Sequence, residues 1–217
     1  MLIKYTGKNK FIFIANTKSA STSIESSKIA RIADVKLIDH RVGKHMPLGK
    51  VHAEFNFIFK EYKIQDFFKF GIIRDPLDWV VSWFNFRSRT ALENPQHPNH
   101  KNYTGNMTFA EFWQSHKNKP FLRPQSQNFF AKDREIQLDY IILKNNLTDQ
   151  LQVVEQALSI ESIQIKKRNK SSVKRLVVQD VETAIKSEIE QKYHTDYQLI
   201  NNLDEFNSRG ISKFVRS

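Results

Sequence analysis

The chain contains no cysteine among its 217 residues. That absence excludes a disulfide framework, a thiolate metal site and a cysteine nucleophile. Long hydrophobic runs are also missing, since no apolar stretch approaches the roughly 18 residues that a membrane-spanning helix needs. The early apolar run at 11–15 is too short for the core of a secretion signal. We therefore expect a soluble cytoplasmic protein without a membrane span.

Internal repeats and low-complexity segments are absent as well, which excludes solenoid and fibrous architectures. An apolar content of 40% is sufficient for a buried core and excludes wholesale disorder. A chain of this length usually forms one domain. We therefore expect a single domain over residues 1–217.

Acidic residues are outnumbered: 23 Asp and Glu against 34 Lys and Arg give a net charge of +11. Such a charge favours anionic ligands, among them nucleic acid, phosphorylated cofactors and acidic polysaccharides. The basic residues are densest over 166–175, where six of ten residues are Lys or Arg and none is acidic. A run of this kind is usually a solvated loop, and it becomes informative only beside a phosphate site.

Apolar runs alternate with helical stripes along the chain. Short apolar runs predict strands over 11–15, 35–38, 67–73 and 139–143. Apolar residues at spacings of three and four predict helices over 24–33, 48–62, 76–86, 147–158 and 181–203. This alternation predicts an α/β fold with a central parallel sheet and helices on both faces.

The segment after the first of these strands is rich in small hydroxyl residues. Residues 16–23 include Lys18 and four Ser or Thr side chains after it, and a helix is predicted to follow. Backbone N–H groups at a helix start, hydroxyl donors and a lysine together can bind a phosphate. The nucleoside-triphosphatase pattern G-x-x-x-x-G-K-[ST] is absent. An ordinary loop with Ser or Thr helix caps is the alternative interpretation.

A second segment begins where the strand at 67–73 ends. Arg74 follows that strand, and ligands of open α/β sheets bind at the carboxyl ends of the strands. Asp75 and Pro76 suit the cap and first position of the next helix. Ser82 lies two helical turns further on. An arginine and a hydroxyl placed in this way could hold one phosphate.

Together the two segments resemble the sulfotransferases that use 3′-phosphoadenylyl sulfate (PAPS), in particular their carbohydrate-type bacterial branch. The first family signature resembles Thr17-Lys18-Ser19-Ala20-Ser21-Thr22-Ser23-Ile24, and the second resembles Arg74-Asp75-Pro76 followed by Val81-Ser82-Trp83. Lys44-His45, Asn169-Lys170-Ser171 and the segment from Tyr193 to Tyr197 resemble weaker family features. Thr17 replaces the usual proline, and Ala20-Ser21 replaces a glycine pair, so the residues that approach the phosphate stay small.

The resemblance implies a P-loop-like sulfotransferase fold, a PAPS donor and no metal. It implies that the donor's 5′-phosphosulfate is held by Lys18, Ser19, Ala20, Ser21, Thr22 and Ser23. Lys18 would also stabilise charge on the leaving phosphate oxygen. It implies that Arg74 and Ser82 hold the 3′-phosphate and that Lys170 and Ser171 close over the nucleotide. The acceptor is expected to be a carbohydrate hydroxyl, with no nucleic-acid partner.

Transfer to a hydroxyl needs a base that accepts the acceptor's proton. His45 is the first candidate, because it follows the second predicted strand and an imidazole titrates near neutrality. His52, Glu25 and Glu54 are rivals, so the identity of the base is left open.

Three other functions fit parts of the pattern. A kinase-like phosphoryl transferase fits the sheet, but the Gly-Lys-Ser/Thr loop and a convincing acidic Mg²⁺ site are missing. A non-catalytic basic module that binds acidic glycan or nucleic acid explains the charge but not the paired signatures. A degenerate sulfotransferase that binds nucleotide without turnover is the third.

Overall fold

The computed structural model describes residues 1–131, 134–161, 163, 165 and 175–215. The chain divides into two compact units. The first comprises Met1–Arg74, Gln125–Arg168 and Gln198–Ser217, and the second comprises Asp75–Pro124 and Asn169–Tyr197. The expectation of a single domain over 1–217 concerns independent folding and stays a prediction.

A five-stranded sheet forms the centre of the first unit. The strands of the described residues are β1 (Leu2–Lys4), β2 (Phe11–Ile14), β3 (Val35–Lys36), β4 (Phe68–Ile73), β5 (Phe130–Ala131), β6 (Ile136–Gln137) and β7 (Tyr140–Leu143). The sheet order is β3-β1-β2-β4-β7, with β2, β4 and β7 parallel and β1 antiparallel to both its neighbours. β5 and β6 form a separate antiparallel pair. The sequence pattern missed β1, which is too short to show a period.

Alternate residues of the central strands enter two separate hydrophobic cores. Phe11 and Phe13 of β2 pack in the first core, and Ile12 and Ile14 pack in the second. All four side chains are fully buried. A strand that is buried on both faces reads as a continuous apolar run, as the sequence around 11–15 does. The α/β prediction, with a largely parallel central sheet covered on both faces, is therefore confirmed.

The helices of the two units agree only in part with the lengths that the sequence pattern suggests. In the described residues they are α1 (Ser21–Glu25), α2 (Lys28–Ile32), α3 (Leu48–Glu54), α4 (Asn56–Glu61), α5 (Pro76–Arg87), α6 (Phe109–His116), α7 (Leu147–Leu158), α8 (Thr183–Lys192), α9 (His194–Asn201) and α10 (Leu203–Ile211). The predicted helices over 24–33, 48–62 and 181–203 are each broken. Ser27 starts α2 by accepting a hydrogen bond from the Ile29 N–H, which caps the new helix. Apolar spacing predicts which face is buried, but it does not predict such breaks.

The first core contains α1, α2 and α7, whereas the second contains α3, α4 and α10. A buried ion pair joins the amino ends of β4 and β7. Lys69 Nζ lies 2.6 Å from Asp139 Oδ2, and both residues are 5% exposed. Burial lowers the pKa of Lys69 and raises the pKa of Asp139, and the opposite charge works against both shifts. The ammonium also donates to the carbonyls of Ile64 and Phe67, so the buried charge is fully solvated by protein.

The second unit is organised around aromatic side chains. Trp79 on α5 and Phe112 and Trp113 on α6 share a buried core with Tyr193. The Tyr193 hydroxyl donates to the Leu122 carbonyl at 2.7 Å, so its polar end is satisfied inside the core. These aromatic side chains therefore form the hydrophobic core of the second unit.

Gly210 on α10 gives a test of the packing of α10 against β7. A Cβ atom at this position would collide with the backbone carbonyl of Asp139. We expect Gly210→Ala to lower the free energy of unfolding by at least about 2 kcal/mol, because backbone cannot move aside cheaply. Gly49→Ala is the matched control: its Cβ would lie 3.2 Å from the Ala131 side chain, a mild contact. Urea denaturation of both variants checks this, and equal stabilities would contradict it.

Candidate functional site

The carboxyl ends of β2 and β4 lie side by side in the first unit. The two strands pair in parallel, with Ile14 opposite Gly71. β2 therefore delivers the hydroxyl-rich loop, and β4 delivers Arg74, to the same edge of the sheet. This edge is where open α/β sheets bind ligands. The structure thus brings the loop after β2 to the same edge as Arg74, the first residue of the second segment that the sequence singled out.

The loop after β2 has an unusual backbone. Lys18 and Ala20 both adopt the left-handed conformation, with φ of 56° and 59°. For residues other than glycine this conformation costs about 1–2 kcal/mol. Loops that alternate left-handed residues with others can turn successive N–H groups to one side, an arrangement that binds anions. Strained backbone of this kind is concentrated at functional sites.

The hydroxyl side chains of the loop do not cap α1. Ala20 occupies the N-cap position, so no side-chain capping bond forms there. Ser19 is buried, and its hydroxyl contacts the Thr17 carbonyl at 3.1 Å and Gln125 Oε1 at 3.3 Å. The interpretation as an ordinary loop with Ser or Thr caps is therefore wrong for α1. Ser21 and Ser23 are buried as well, and Thr22 is half-exposed.

α1 is only five residues long. The sequence suggested a longer helix from residue 24, whose dipole would attract an anion. The observed helix is too short to add much of a dipole. The groups of this loop that could hold an anion are therefore its backbone N–H groups, its hydroxyls and the charge of Lys18.

Arg74 reaches back to the loop. Its Nη1 donates to the Lys18 carbonyl at 3.1 Å, so the side chain that ends β4 contacts the backbone that follows β2. The guanidinium carries five N–H donors, and this bond uses one of them. Two cationic residues therefore meet at one edge of the sheet.

A short 3₁₀ turn, Gln125–Asn128, braces this edge. Gln125 Oε1 accepts from the Arg74 N–H at 3.1 Å, and Gln125 Nε2 donates to the Arg74 carbonyl at 2.7 Å. Asn128 Nδ2 donates to Asn16 Oδ1 at 2.5 Å, and Asn16 in turn donates to the Ile72 carbonyl. Sequence reasoning missed the role of this turn. The only signal was a cluster of polar residues just before the apolar Phe129.

His45 is held against the end of β2. Its Nδ1 lies 2.6 Å from the Ala15 carbonyl oxygen, which can only accept, so Nδ1 carries the proton. Burial lowers the pKa of His45 to about 4, although the bond to Ala15 opposes the shift. The imidazole is therefore neutral at pH 7, with its lone pair on Nε2. This is the protonation state that a general base requires.

The rival bases have different surroundings. Glu25 forms an ion pair with Lys44 at 2.6 Å, and its Oε1 is buried without a hydrogen-bond partner among the described residues. His52 stacks on Phe59 with ring centroids 5.2 Å apart, and Glu54 is exposed on α3. The contacts favour His45, next to the loop, as the first candidate. The identity of the base stays a hypothesis.

The remaining predicted site residues lie elsewhere. Ser82 is half-exposed on α5, in the second unit. Lys170 and Ser171 lie outside the described residues. Within the described ranges, no three His, Asp or Glu side chains are grouped as a metal site would require. Nor does any helix of that part of the chain have the length and apolarity to cross a membrane.

Comparison with known families decides what this arrangement is. A model of the sulfotransferase family matches residues 2–201. The chain belongs to the sulfotransferase family. No curated protein and no solved structure matches it. The family resemblance seen in residues 17–24 and 74–83 is thus confirmed over nearly the whole chain.

As a member of this family, the protein is a transferase that moves a sulfuryl group to an acceptor. It also fits the P-loop-like α/β fold, in which the loop after β2 lies at the carboxyl edge of the sheet. The family signature that residues 17–24 resemble has a glycine at the position of Ala20. The left-handed φ at this position explains the usual glycine, since glycine adopts that conformation without strain.

Ala20→Gly tests the strain in this loop. In an ordinary helical position Ala to Gly costs about 1 kcal/mol of stability. At Ala20 we expect no loss, because relief of the left-handed strain offsets the extra chain entropy. Ala53→Gly, at an exposed position on α3, is the control and should lose about 1 kcal/mol. Urea unfolding measures both, and equal losses would show that the loop is unstrained.

Proposed function

We propose that this sulfotransferase transfers the sulfuryl group of PAPS to a carbohydrate hydroxyl. One observation carries the proposal. The loop from Lys18 to Ala20, with its left-handed turns, is tied by a hydrogen bond to Arg74 at the carboxyl edge of the sheet. A donor that carries a phosphosulfate at one end and a phosphate at the other needs two such cationic positions.

The residues present suit an anionic nucleotide. Between 16 and 24 the chain contains four hydroxyl side chains besides Thr17, one lysine and no acidic residue. The side chains at positions 19–21 are small, so a phosphate can approach the backbone closely. A planar arginine such as Arg74 binds a phosphate through two parallel N–H bonds. This set of donors favours PAPS over a neutral ligand.

The chemical step is an in-line displacement at sulfur. PAPS supplies the activated sulfuryl group: the acceptor oxygen forms a bond to sulfur, and the bond from sulfur to the bridging phosphate oxygen breaks. Lys18 stabilises the negative charge that develops on that oxygen. His45 accepts the acceptor's proton at Nε2. The products are a sulfate ester and adenosine 3′,5′-bisphosphate.

Other assignments follow from the resemblance alone. It assigns the 3′-phosphate to Arg74 and to Ser82, and it assigns Lys170 and Ser171 to closure over the nucleotide. It also supports a carbohydrate acceptor, since the signatures are closest to the carbohydrate-type branch. Metal independence and a cytoplasmic location belong to the same proposal.

Calorimetric titration with adenosine 3′,5′-bisphosphate tests the donor assignment. We expect the bisphosphate to bind at least about tenfold more tightly than 5′-AMP or ATP, because Arg74 pairs with its 3′-phosphate. Arg74→Ala should abolish that preference. Ser82→Ala tests the serine separately and should reduce the preference by less, since a neutral hydroxyl contributes less than a guanidinium.

Arg209→Ala is the matched control. Arg209 is an exposed arginine on α10 that pairs only at 3.7 Å with Glu205, so its loss removes the same charge elsewhere. It should leave the preference unchanged. A wild-type protein that binds the bisphosphate no better than AMP or ATP would overturn the PAPS assignment.

The pH dependence of kcat/KM tests the base. A base works in its unprotonated form, so activity is lost as pH falls through its pKa in the free enzyme. Because burial holds the pKa of His45 at about 4, we expect kcat/KM to stay flat from pH 8 to about 5.5 and to fall below about pH 5. His45→Gln should lower kcat by about 10²–10⁴ and remove this acid limb.

His52→Gln is the control for that experiment, because His52 is the nearest rival histidine in sequence and packs on Phe59. It should keep both the rate and the pH profile. If His45→Gln kept the rate and the pH profile while His52→Gln abolished the rate, the base would be reassigned to His52.

A further inference from the structure

Four hydrogen bonds close a ring at the edge of the sheet. Ser19 Oγ contacts Gln125 Oε1 at 3.3 Å, and Gln125 pairs with both the N–H and the carbonyl of Arg74. The Arg74 side chain then donates to the carbonyl of Lys18, the residue before Ser19. We call this arrangement the Gln125 ring. It consists of Lys18, Ser19, Arg74 and Gln125, and it lies within the first unit.

The centre of the ring is buried. Gln125 is 2% exposed and Ser19 is 1% exposed. Water cannot replace a lost bond easily at such positions, so each bond is worth more than on the surface. A paired amide that both accepts from and donates to one backbone unit also has a single orientation. The Gln125 amide therefore fixes where β4 ends relative to the loop.

We propose that Gln125 is a positioning residue that sets the spacing between the Lys18 loop and Arg74. The inference rests on the proposed function, in which the loop holds the phosphosulfate and Arg74 holds the 3′-phosphate. In the donor both groups are attached to one ribose, which limits how far apart they can lie. A protein that binds both must hold its two cationic positions at the matching distance.

A displacement of either position by about 1 Å is costly for catalysis. Besides the sheet, two paths join the positions: the direct bond from the Arg74 side chain to the Lys18 carbonyl, and the path through the Gln125 amide to Ser19 and the Arg74 backbone. Asn128 supports the same edge by a separate path, through Asn16 to the Ile72 carbonyl. Gln125 is the side chain of the ring that bonds both to the loop, at Ser19, and to the backbone of Arg74.

The test compares two ligands that differ only in the 3′-phosphate. Adenosine 3′,5′-bisphosphate engages both positions, whereas 5′-AMP engages only the loop. The ratio of their dissociation constants measures how well the two positions match. Loss of folded protein lowers the binding capacity for both ligands but leaves the ratio unchanged. The ratio therefore separates positioning from simple structural support.

We expect Gln125→Leu to reduce this ratio by about tenfold, the equivalent of one or two hydrogen bonds. The leucine keeps most of the volume and removes every polar contact. Gln127→Leu is the matched control, because Gln127 is exposed on the same turn; its ratio should equal that of the wild type. Gln125→Glu is the second variant if the leucine form fails to fold. It keeps an acceptor for Ser19 but cannot donate to the Arg74 carbonyl, and its ratio should also fall.

Two results would overturn the inference in distinguishable ways. A wild-type ratio that already favours the bisphosphate, and that stays the same in both Gln125 variants, would show that Gln125 only supports the fold. A wild-type protein with no preference for the bisphosphate would defeat the proposed function, and the positioning role with it.

Discussion

The parallel pairing of β2 with β4 is the constraint on which the candidate site depends. Because Ile14 lies opposite Gly71, the chain leaves both strands at the same edge, within reach of a single side chain. Gly71 fits this role, since a Cβ there would press on Leu138, Phe129 and the Ile14 carbonyl. The strands are held by apolar side chains on both faces. The edge is therefore rigid before any polar contact is added.

Four polar residues are buried at that edge, and each of them forms a hydrogen bond. Asn16, Ser19, Gln125 and Asn128 are all less than 10% exposed, and all four share hydrogen bonds with one another or with the strand ends. Burial of unpaired amides would cost several kcal/mol. The hydrogen bonds among these side chains offset that cost and hold the loop and the strand ends in place. Such a brace lets a loop with strained backbone at Lys18 and Ala20 persist.

Short stretches of sequence were enough to predict much of the sheet and of the candidate site. About ten residues suffice to recognise each of the following: the apolar runs of β2 and β4, the hydroxyl-rich loop and Arg74. Because β2 and β4 were predicted to be parallel, the loop and Arg74 were expected at the same edge. Gln125 and Asn128 could not be read in this way, since their partners lie 51 to 112 residues away. The breaks that shorten α1 and α3 depend on caps and on a single residue's dihedral angles, which apolar spacing does not encode.

The proposed base and the proposed phosphate loop are both attached to the carboxyl end of β2. His45 bonds to the Ala15 carbonyl, and Lys18 follows three residues later. Both residues are therefore attached at the end of β2, His45 by a hydrogen bond and Lys18 through the backbone. The same bond fixes the tautomer, and burial keeps the ring neutral. In the proposed reaction, the negative charge of a donor held by the Lys18 loop would raise the pKa of this imidazole. Donor binding would then strengthen the proposed base, which would link proton transfer to the presence of the donor.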